Sequence, residues 1–357
     1  MIDKRIGALL RICQEHALDA ALIGTAENMR YFTGGYTGEG MILLGRQGRM
    51  LLTDSRYTEQ AQHQAQGFDV VEYANSSEIY RSLQGCCGAM GARRIYIDAL
   101  HTTIDTFQSL QALQGLEFVP CGDFAQQIRM IKDDAELACI AQACEITDAA
   151  FERVLELSHV GISEKQLANE LIYWISKTYG VGCGFDFIIA SGINGSMPHA
   201  VLSDKPLAVG ELVTIDFGVE VQGYRSDMTR TYALGKPCEQ LCEIYSIVRK
   251  AQSVSQSGLC PGMRGCEAHA IAADIISAAG YGEYFGHGLG HGVGLEIHEL
   301  PRLAPSSQIV LAENMVVTVE PGIYIPALGG VRIENTCKIT ENGAQSLFKS
   351  TTEMVIL

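Results

Sequence analysis

The sequence has 357 residues, of which 47% are apolar and 19% are charged. That length suggests about two domains, and the composition is typical of a globular chain with a sizeable core and not of a disordered one. With 26 Lys and Arg against 41 Asp and Glu, the net charge is −15, which argues against binding to nucleic acids or to an anionic membrane surface.

The N-terminal region begins with an amphipathic helix pattern in residues 1–20. It lacks the unbroken apolar stretch of a signal peptide, and no segment of the sequence reaches the roughly 18 consecutive apolar residues of a membrane span. We therefore expect a cytoplasmic protein that does not enter a membrane. Twelve cysteines are scattered through apolar stretches. The pair Cys86 and Cys87 and the pair Cys238 and Cys242 fit no metal-binding motif, and we interpret both as free buried thiols.

Short apolar runs of strand length alternate with helical patterns in the first third of the sequence. The helical patterns lie around residues 56–65 and 101–113. This alternation predicts a small N-terminal α/β domain at residues 1–124. The apolar runs occupy residues 20–23, 41–44, 50–52, 68–71 and 95–97.

Two capping boxes mark the start of a second domain. Asp133 with Glu136 opens a long amphipathic helix, and Ser163 with Gln166 opens another, which is expected to end at Gly180. We therefore expect a linker at residues 125–132, followed by a catalytic domain at residues 133–357.

The second domain contains an internal repeat. Residues 213–218, Val-Thr-Ile-Asp-Phe-Gly, resemble residues 317–322, Val-Thr-Val-Glu-Pro-Gly. Residues 225–229, Arg-Ser-Asp-Met-Thr, resemble residues 332–336, Arg-Ile-Glu-Asn-Thr. The repeat predicts the same β-hairpin twice, with one acid on each of its strands.

The acids of this repeat are unusual because Asp and Glu are disfavoured within strands. Asp216 and Asp227 flank a short connection, so strand alternation predicts that they lie opposite or diagonal on one face of the ladder. The second copy has a longer connection, and its register stays open. Four buried carboxylates cannot all ionise without compensation, which predicts bound cations. Pairing of each acid with Arg225 or Arg332 is the alternative, but it does not explain why the acids recur.

A glycine-rich segment at residues 286–299 carries three histidines. Glycine at alternate positions disfavours a helix, so His287 and His291 are not the helical pair of a zinc protease, and the spacing does not match a dinucleotide-binding loop. An extended segment of this kind lets a ligand approach closely and could present one metal ligand and two groups facing the substrate, with His298 as the third histidine. His199 ends a turn-rich loop before the first hairpin and on its own is a weak signal.

Four carboxylates and one imidazole form a hard, oxygen-rich ligand set that suits Mn²⁺ or a similar divalent ion. Four negative charges balance two such ions, as in hydrolases that use two metals.

The order Asp216, Asp227, His291, Glu320, Glu334 resembles that of the pita-bread metallopeptidases, and among them the aminopeptidase P and prolidase branch. The shared motifs are I-D-F-G, S-D-M-T-R-T, G-H-G-L-G-H-G-V-G-L-E-I-H-E, V-E-P-G-I-Y and R-I-E-N-T. The resemblance implies an α/β (α+β) fold. A C-terminal pita-bread domain with hairpins repeated about a pseudo-twofold axis would follow a smaller creatinase-type N-terminal domain.

The resemblance also implies a role for each ligand. Asp216 would chelate one metal ion, and Asp227 and Glu334 would bridge two. His291 and Glu320 would hold the other ion, with Glu320 also transferring the proton. The ions would be Mn²⁺, with Co²⁺ or Zn²⁺ as alternatives.

Further catalytic and substrate-binding residues follow from the same resemblance. His298 and His287 would contact the substrate and the developing oxyanion, and His199 would hydrogen-bond the substrate near the cleaved bond. Arg332 would brace the carboxylates, and Tyr324 would line the site.

The expected function is hydrolysis of the peptide bond between an N-terminal residue and a following proline in short peptides. Whether dipeptides or longer peptides are cleaved stays open. A metallo-aminopeptidase without proline specificity and a non-catalytic peptide-binding protein on the same fold are the alternatives. The branch tends to form dimers, so a homodimer or higher homo-oligomer is expected.

Overall fold

A computed structural model describes residues 1–75 and 77–357. The chain separates into two compact units, Met1–Arg129 and Met130–Leu357. None of the helices in the described residues combines the length and the apolar composition needed to span a bilayer. Each unit is built around its own sheet or sheets, as the expected α/β (α+β) fold requires.

The first unit is a six-stranded sheet with helices, in the order β4-β3-β2-β1-β5-β6. The pairs β1·β2 and β2·β3 are antiparallel, and β3·β4, β1·β5 and β5·β6 are parallel. The elements are α1 (Ile2–Glu15), β1 (Ala20–Ile23), α2 (Ala26–Thr33), β2 (Met41–Gly45), β3 (Gly48–Asp54), α3 (Thr58–Gln64), β4 (Asp69–Tyr73), α4 (Ile79–Met90), β5 (Arg94–Asp98), α5 (Ile104–Gln111), β6 (Glu117–Cys121) and α6 (Phe124–Arg129).

The five predicted strands of this unit are confirmed, and the sixth, β6, was not predicted. Its sequence mixes Glu117 and Pro120 with apolar residues, so it has no continuous apolar run. Proline is tolerated there because β6 is an edge strand. The helix α6 occupies part of the stretch expected to be a linker.

The second unit repeats a plan of two helices followed by hairpins. Both capping boxes are present, on Asp133 and on Ser163, and Gly180 ends its helix in the left-handed conformation. The first half contains α7 (Asp134–Leu157), α8 (Glu164–Tyr179), β7 (Gly182–Cys183), β8 (Ile188–Ser191), β9 (Glu211–Phe217), β10 (Val219–Val221), β11 (Tyr224–Arg225) and β12 (Met228–Leu234). The second half contains α9 (Glu239–Gly258), α10 (Gly265–Ala278), β13 (Gly290–Gly292), β14 (Glu299–Leu303), β15 (Val316–Val319), β16 (Gly322–Ile325), β17 (Gly329–Arg332), β18 (Asn335–Thr340) and β19 (Gly343–Ser346).

Two main sheets carry the site, in the orders β12-β9-β8 and β14-β13-β15-β18-β19. Helices α9 and α10 cover the second sheet with a core that includes Ile244, Val248, Ala272 and Val317. The two helices and the sheet bury their apolar faces against each other. This packing fixes β13, which carries His291, and the ends of β15 and β18, next to which Glu320 and Glu334 lie.

The sequence leaves open whether Asp216 and Asp227 lie opposite or diagonal to each other in the first hairpin. In the structure they lie diagonal. Asp216 pairs with Thr229 across β9 and β12, and Asp227 lies two residues from Thr229, on the same face. The turn at Gln222 and Gly223 has φ of 49° and 82°, the left-handed pair of values that a tight hairpin turn needs.

The second hairpin has a different register. In the repeat, Thr336 corresponds to Thr229 and Glu320 corresponds to Asp216. Thr336 nevertheless pairs with Thr318, two residues before Glu320. Continuing that register brings Glu320 directly opposite Glu334. Because a shift of two residues keeps each side chain on its own face, all four acids still face the same way within their hairpins.

The thiol interpretation is partly corrected by the structure. All twelve cysteines are free, and Cys86 and Cys87 are buried on α4 as expected. The expectation for the other pair is wrong, because Cys238 is exposed and Cys242 is half-buried. Cys238 stands at the N-cap position of α9, at the surface, where its preceding proline ends a loop.

The glycines of the histidine segment allow close backbone packing. A Cβ on Gly290 would lie 2.1 Å from the carbonyl oxygen of Thr318, so we expect Gly290→Ala to destabilise the fold by about 1–3 kcal/mol through overpacking. Gly286→Ala is the matched control, since no atom lies within 4 Å of its Cβ position. Urea unfolding of both variants measures the difference, and equal midpoints would contradict the packing argument.

Candidate metal centre and active site

All ten residues predicted to form the site line one cavity of about 520 Å³ in the second unit. They come from both hairpins, from the glycine-rich segment and from the loop before β9. They are Asp216, Asp227, His291, Glu320, Glu334, His199, His287, His298, Tyr324 and Arg332.

The predicted metal ligands cluster on one part of the wall of this cavity. Asp227, His291 and Glu334 are at most 7% exposed, and each offers one ligand atom within 4.8 Å of those of the other two. The His291 Nε2 atom lies 3.1 Å from Glu320 Oε1 and 3.6 Å from Asp227 Oδ2. Asp216, on β9, completes the set.

His291 is oriented by its own backbone. Its Nδ1 lies 3.1 Å from the carbonyl oxygen of Gly292, and because a carbonyl only accepts, Nδ1 carries the proton in the neutral ring. Nε2 then carries the free lone pair, and it faces the carboxylates of Asp227 and Glu320. This is the arrangement in which a histidine ligates a metal through one nitrogen and is held by the other.

Burial and mutual repulsion act on the carboxylates. Burial raises the pKa of Asp227 well above its ordinary value, and the charges of Glu334 and Asp216 raise it further. The pKa of Glu334 is raised for the same reasons, with burial first and then the charges of Glu320 and Asp216. For Glu320, burial also acts upward, but a protonated His291, through its hydrogen bond and its charge, outweighs burial and lowers the pKa to about 2.

The residues fit a divalent metal centre. Asp216 Oδ1 and Glu334 Oε1 are buried and have no hydrogen-bond partner among the described residues, although buried carboxylate oxygens are normally satisfied. A cation between the acids would satisfy these oxygens and stabilise the ionised forms of Asp227 and Glu334. The donor set of carboxylates and one imidazole suits such an ion.

Arg332 connects the acids to the substrate-facing side of the cavity. It is 4% exposed and donates from Nη2 to Asp216 Oδ2 at 2.6 Å, from Nε to Thr229 Oγ1 at 3.0 Å and from Nη1 to Tyr324 Oη at 3.0 Å. The alternative in which arginines neutralise all the acids therefore holds for Asp216 alone. Arg225 lies 3.8 Å from Glu220 instead.

His287 is tied to Tyr324. Its Nδ1 lies 2.7 Å from the Gly288 carbonyl oxygen and its Nε2 lies 2.9 Å from Tyr324 Oη. The carbonyl requires a proton on Nδ1, so in the neutral ring Nε2 accepts from Tyr324, whose oxygen in turn accepts from Arg332. Burial lowers the pKa of His287 and raises that of Tyr324 to about 12, so both groups are neutral at pH 7.

His298 packs edge-on against His291, with ring centroids 4.4 Å apart. Burial lowers the pKa of His298 to about 4, and the charge of His291 adds to this effect. His199 is exposed and lies at the cavity wall beside Pro198. The two histidines therefore flank the cavity from different segments of the chain.

Several residues of the cavity wall were not predicted. Phe185, Asp186 and Ile188 come from the segment before β9, and Ile297 and Arg302 flank His298 along the chain. The segment with Phe185 has no repeat and no spacing that signals a site. Arg302 could have been noticed as the residue that follows the His-Glu-Leu-Pro sequence.

A buried ion pair supports the histidine segment from behind. Lys132 Nζ lies 2.7 Å from Glu299 Oε1, and both side chains are at most 2% exposed. Glu299 directly follows His298 and begins β14, so its anchoring fixes the backbone next to this histidine. Lys132 falls at the end of the stretch expected to be a linker, yet the structure buries it.

We expect Lys132→Met to destabilise the protein by about 3–5 kcal/mol, because it removes the cation that is paired with the buried carboxylate of Glu299. Lys165→Met is the matched control. The Lys165 side chain is 54% exposed and lies 4.0 Å from Asp204, so its loss should cost less than about 1 kcal/mol. Chemical denaturation measures both, and a similar small effect in the two variants would disprove the anchoring role.

Comparison with known proteins identifies the family. Residues 138–341 match the model of metallopeptidase family M24, and residues 5–131 match that of the creatinase/prolidase N-terminal domain. The chain belongs to metallopeptidase family M24 and is a hydrolase. The fold is therefore the pita-bread domain preceded by a creatinase-type domain, as the resemblance implies.

Individual relatives cover nearly the whole chain. The solved structure titled Xaa-Pro dipeptidase from Bacillus anthracis is 38% identical, covers 100% of both chains and has a TM-score of 0.96. The Xaa-Pro dipeptidase of Pyrococcus horikoshii is 36% identical over 99% of both sequences. The structure of X-Pro aminopeptidase from Thermotoga maritima is 34% identical, covers 96% of this chain and 98% of that one, and has a TM-score of 0.87.

Proposed function

We propose that the protein is a dinuclear metal-dependent peptidase that hydrolyses the bond between an N-terminal residue and a following proline. The observation that carries this proposal is the cluster of two buried carboxylates, two half-buried carboxylates and His291 in a cavity that three further histidines also line. Proline specificity is supported by the names of the relatives, which include Xaa-Pro dipeptidases and an X-Pro aminopeptidase.

The metal ligands would be Asp216, Asp227, His291, Glu320 and Glu334, with Asp227 and Glu334 bridging two ions. Mn²⁺ is the ion we propose, with Co²⁺ or Zn²⁺ as alternatives, because the set is rich in carboxylate oxygens. When bound, such ions supply Lewis acidity and make water a competent nucleophile near neutral pH.

The side chains of the site would transfer the proton, stabilise the oxyanion and hold the substrate. Glu320, whose carboxylate the bound cations would keep ionised, can accept a proton from the attacking water and return it to the leaving nitrogen. His298 and His287 would contact the peptide and the oxyanion that develops on its carbonyl. Neutral His298 can donate a hydrogen bond to that oxyanion. The single N–H of neutral His287 is taken by the Gly288 carbonyl and its Nε2 accepts from Tyr324, so this ring would act by packing against the substrate and by orienting Tyr324. His199 would hold the substrate near the cleaved bond.

Arg332 is a positioning residue in this scheme. Its guanidinium holds Asp216 through a charge-assisted hydrogen bond and holds Tyr324 at the same time. It thereby fixes one metal ligand relative to the wall of the substrate cavity.

Substrate length stays open between the dipeptide and longer peptides. Arg302 lines the cavity and offers a cation to the free carboxylate that a dipeptide carries on its proline. A cytoplasmic location and a homodimer or higher homo-oligomer belong to the proposal as expectations from the sequence.

A substrate panel tests the proposal. With Mn²⁺ restored, we expect cleavage of Xaa-Pro or Xaa-Pro-Yaa peptides and at least tenfold lower kcat/KM for matched peptides with alanine in place of proline, about 1.4 kcal/mol of discrimination. Equal rates on both series would favour an aminopeptidase without proline specificity. Metal binding without turnover of any peptide would favour a non-catalytic binding protein.

The ligand and substrate roles predict different effects of two substitutions. Asp227→Ala removes a bridging ligand, so we expect loss of bound metal and of activity. His298→Ala should retain metal and lower kcat by about 10²-fold or more, because it removes a group that acts on the transition state. Elemental analysis and steady-state kinetics measure both quantities. Equal loss of metal in the two variants would contradict this division.

A further inference from the structure

A second cluster of carboxylates and imidazole lies in the first unit and is formed by Asp98, His101 and Asp123. Asp98 ends β5, and Asp123 follows β6 by two residues. Asp98 pairs with Cys121 across these parallel strands, so the carboxyl ends of both strands meet at one edge of the sheet. The three residues each offer a ligand atom within 4.8 Å of the others.

The backbone orients both carboxylates towards the imidazole. Leu100 N donates to Asp98 Oδ1 at 2.8 Å, and Gln126 N donates to Asp123 Oδ1 at 2.8 Å. The second oxygen of each group faces the ring: His101 Nδ1 lies 2.5 Å from Asp98 Oδ2 and 4.0 Å from Asp123 Oδ2. His101 Nδ1 is thus hydrogen-bonded to Asp98 and lies only at ion-pair distance from Asp123.

Asp123 is the member of this cluster whose environment is incomplete. The residue is 5% exposed, and its Oδ2 is buried without a hydrogen-bond partner among the described residues. Burial raises its pKa and the charge of Asp98 acts in the same direction, against the Gln126 N–H and the charge of Arg129. A buried carboxylate oxygen of this kind normally contacts a donor, water or a cation.

We propose that Asp98, His101 and Asp123 bind one divalent cation, with Zn²⁺ as the ion that this mixed nitrogen and oxygen set suits. The site shares no residue with the carboxylate cluster of residues 130–357 and does not depend on the proposed peptidase activity. Its role is structural: the ion joins the ends of β5 and β6 and stabilises the folded first unit, since the unfolded chain does not hold these ligands together.

The geometry requires only small side-chain movements. Zinc bonds of about 2.0–2.2 Å in a tetrahedron place ligand atoms roughly 3.3–3.5 Å apart. Asp98 and His101, now 2.5 Å apart, would separate by about 1 Å, and Asp123 and His101, now 4.0 Å apart, would approach by about half that. The His101 side chain is 35% exposed, which leaves access for the ion and for a water ligand.

The test counts ions in the full chain after removal of the other cluster. In an Asp227→Asn, Glu334→Gln background we expect about one Zn²⁺ per chain after dialysis and a rise in Tm on adding Zn²⁺. Adding Asp123→Asn and His101→Gln should abolish both. Adding Asp105→Asn and His63→Gln, two exposed residues of the same unit, should abolish neither.

A second measurement keeps the proposal testable if the Asp227→Asn, Glu334→Gln variant does not fold. In the otherwise unsubstituted protein, Asp123→Asn should lower the zinc content by about one ion per chain and leave peptidase activity in place. Equal zinc contents in the two proteins would overturn the proposal. A background that folds and binds no Zn²⁺ would overturn it too.

Discussion

The repulsion among four clustered carboxylates, two buried and two half-buried, is the constraint on which the second unit depends. Asp227 and Glu334 are almost completely buried, and their pKa values are raised by burial and by the neighbouring acids. Such groups are costly to a fold unless cations stabilise them. Arg332 offsets part of the charge at Asp216, and the unpaired oxygens of Asp216 and Glu334 leave the remainder to metal ions. The strands, the glycines and the buried Lys132–Glu299 pair all serve to hold this unfavourable arrangement in place.

Much of the site could be predicted from the sequence because its chemistry is local. Acids within apolar strands and histidines among glycines violate ordinary propensities, and such violations mark functional positions. The repeated acids indicated the ligand set, and the two-residue turn fixed Asp216 and Asp227 on one face. The ten predicted residues line one cavity, although their roles in metal binding and catalysis stay predictions.

What could not be predicted depends on contacts between distant segments. Phe185 reaches the cavity only because the chain returns there, and nothing in the local sequence signals it. Lys132 looked like part of a linker, since its partner Glu299 is 167 positions away. The edge strand β6 was missed because a half-exposed strand with a proline has no apolar run. The prediction that Cys238 is buried was wrong. Cysteine is often buried, but the position of this residue at the start of a surface helix decides its exposure.

The two-residue offset between the hairpins has a consequence for how the duplicated halves can change. Asp216 and Asp227 lie on a diagonal, whereas Glu320 and Glu334 lie opposite each other. The halves are therefore not interchangeable parts, although their sequences still align. Transplanting one strand pair in place of the other would keep every acid yet alter the spacing between them. Each half must therefore keep its own spacing, because the first sets the 2.6 Å contact of Asp216 with Arg332 and the second sets the 3.1 Å contact of Glu320 with His291.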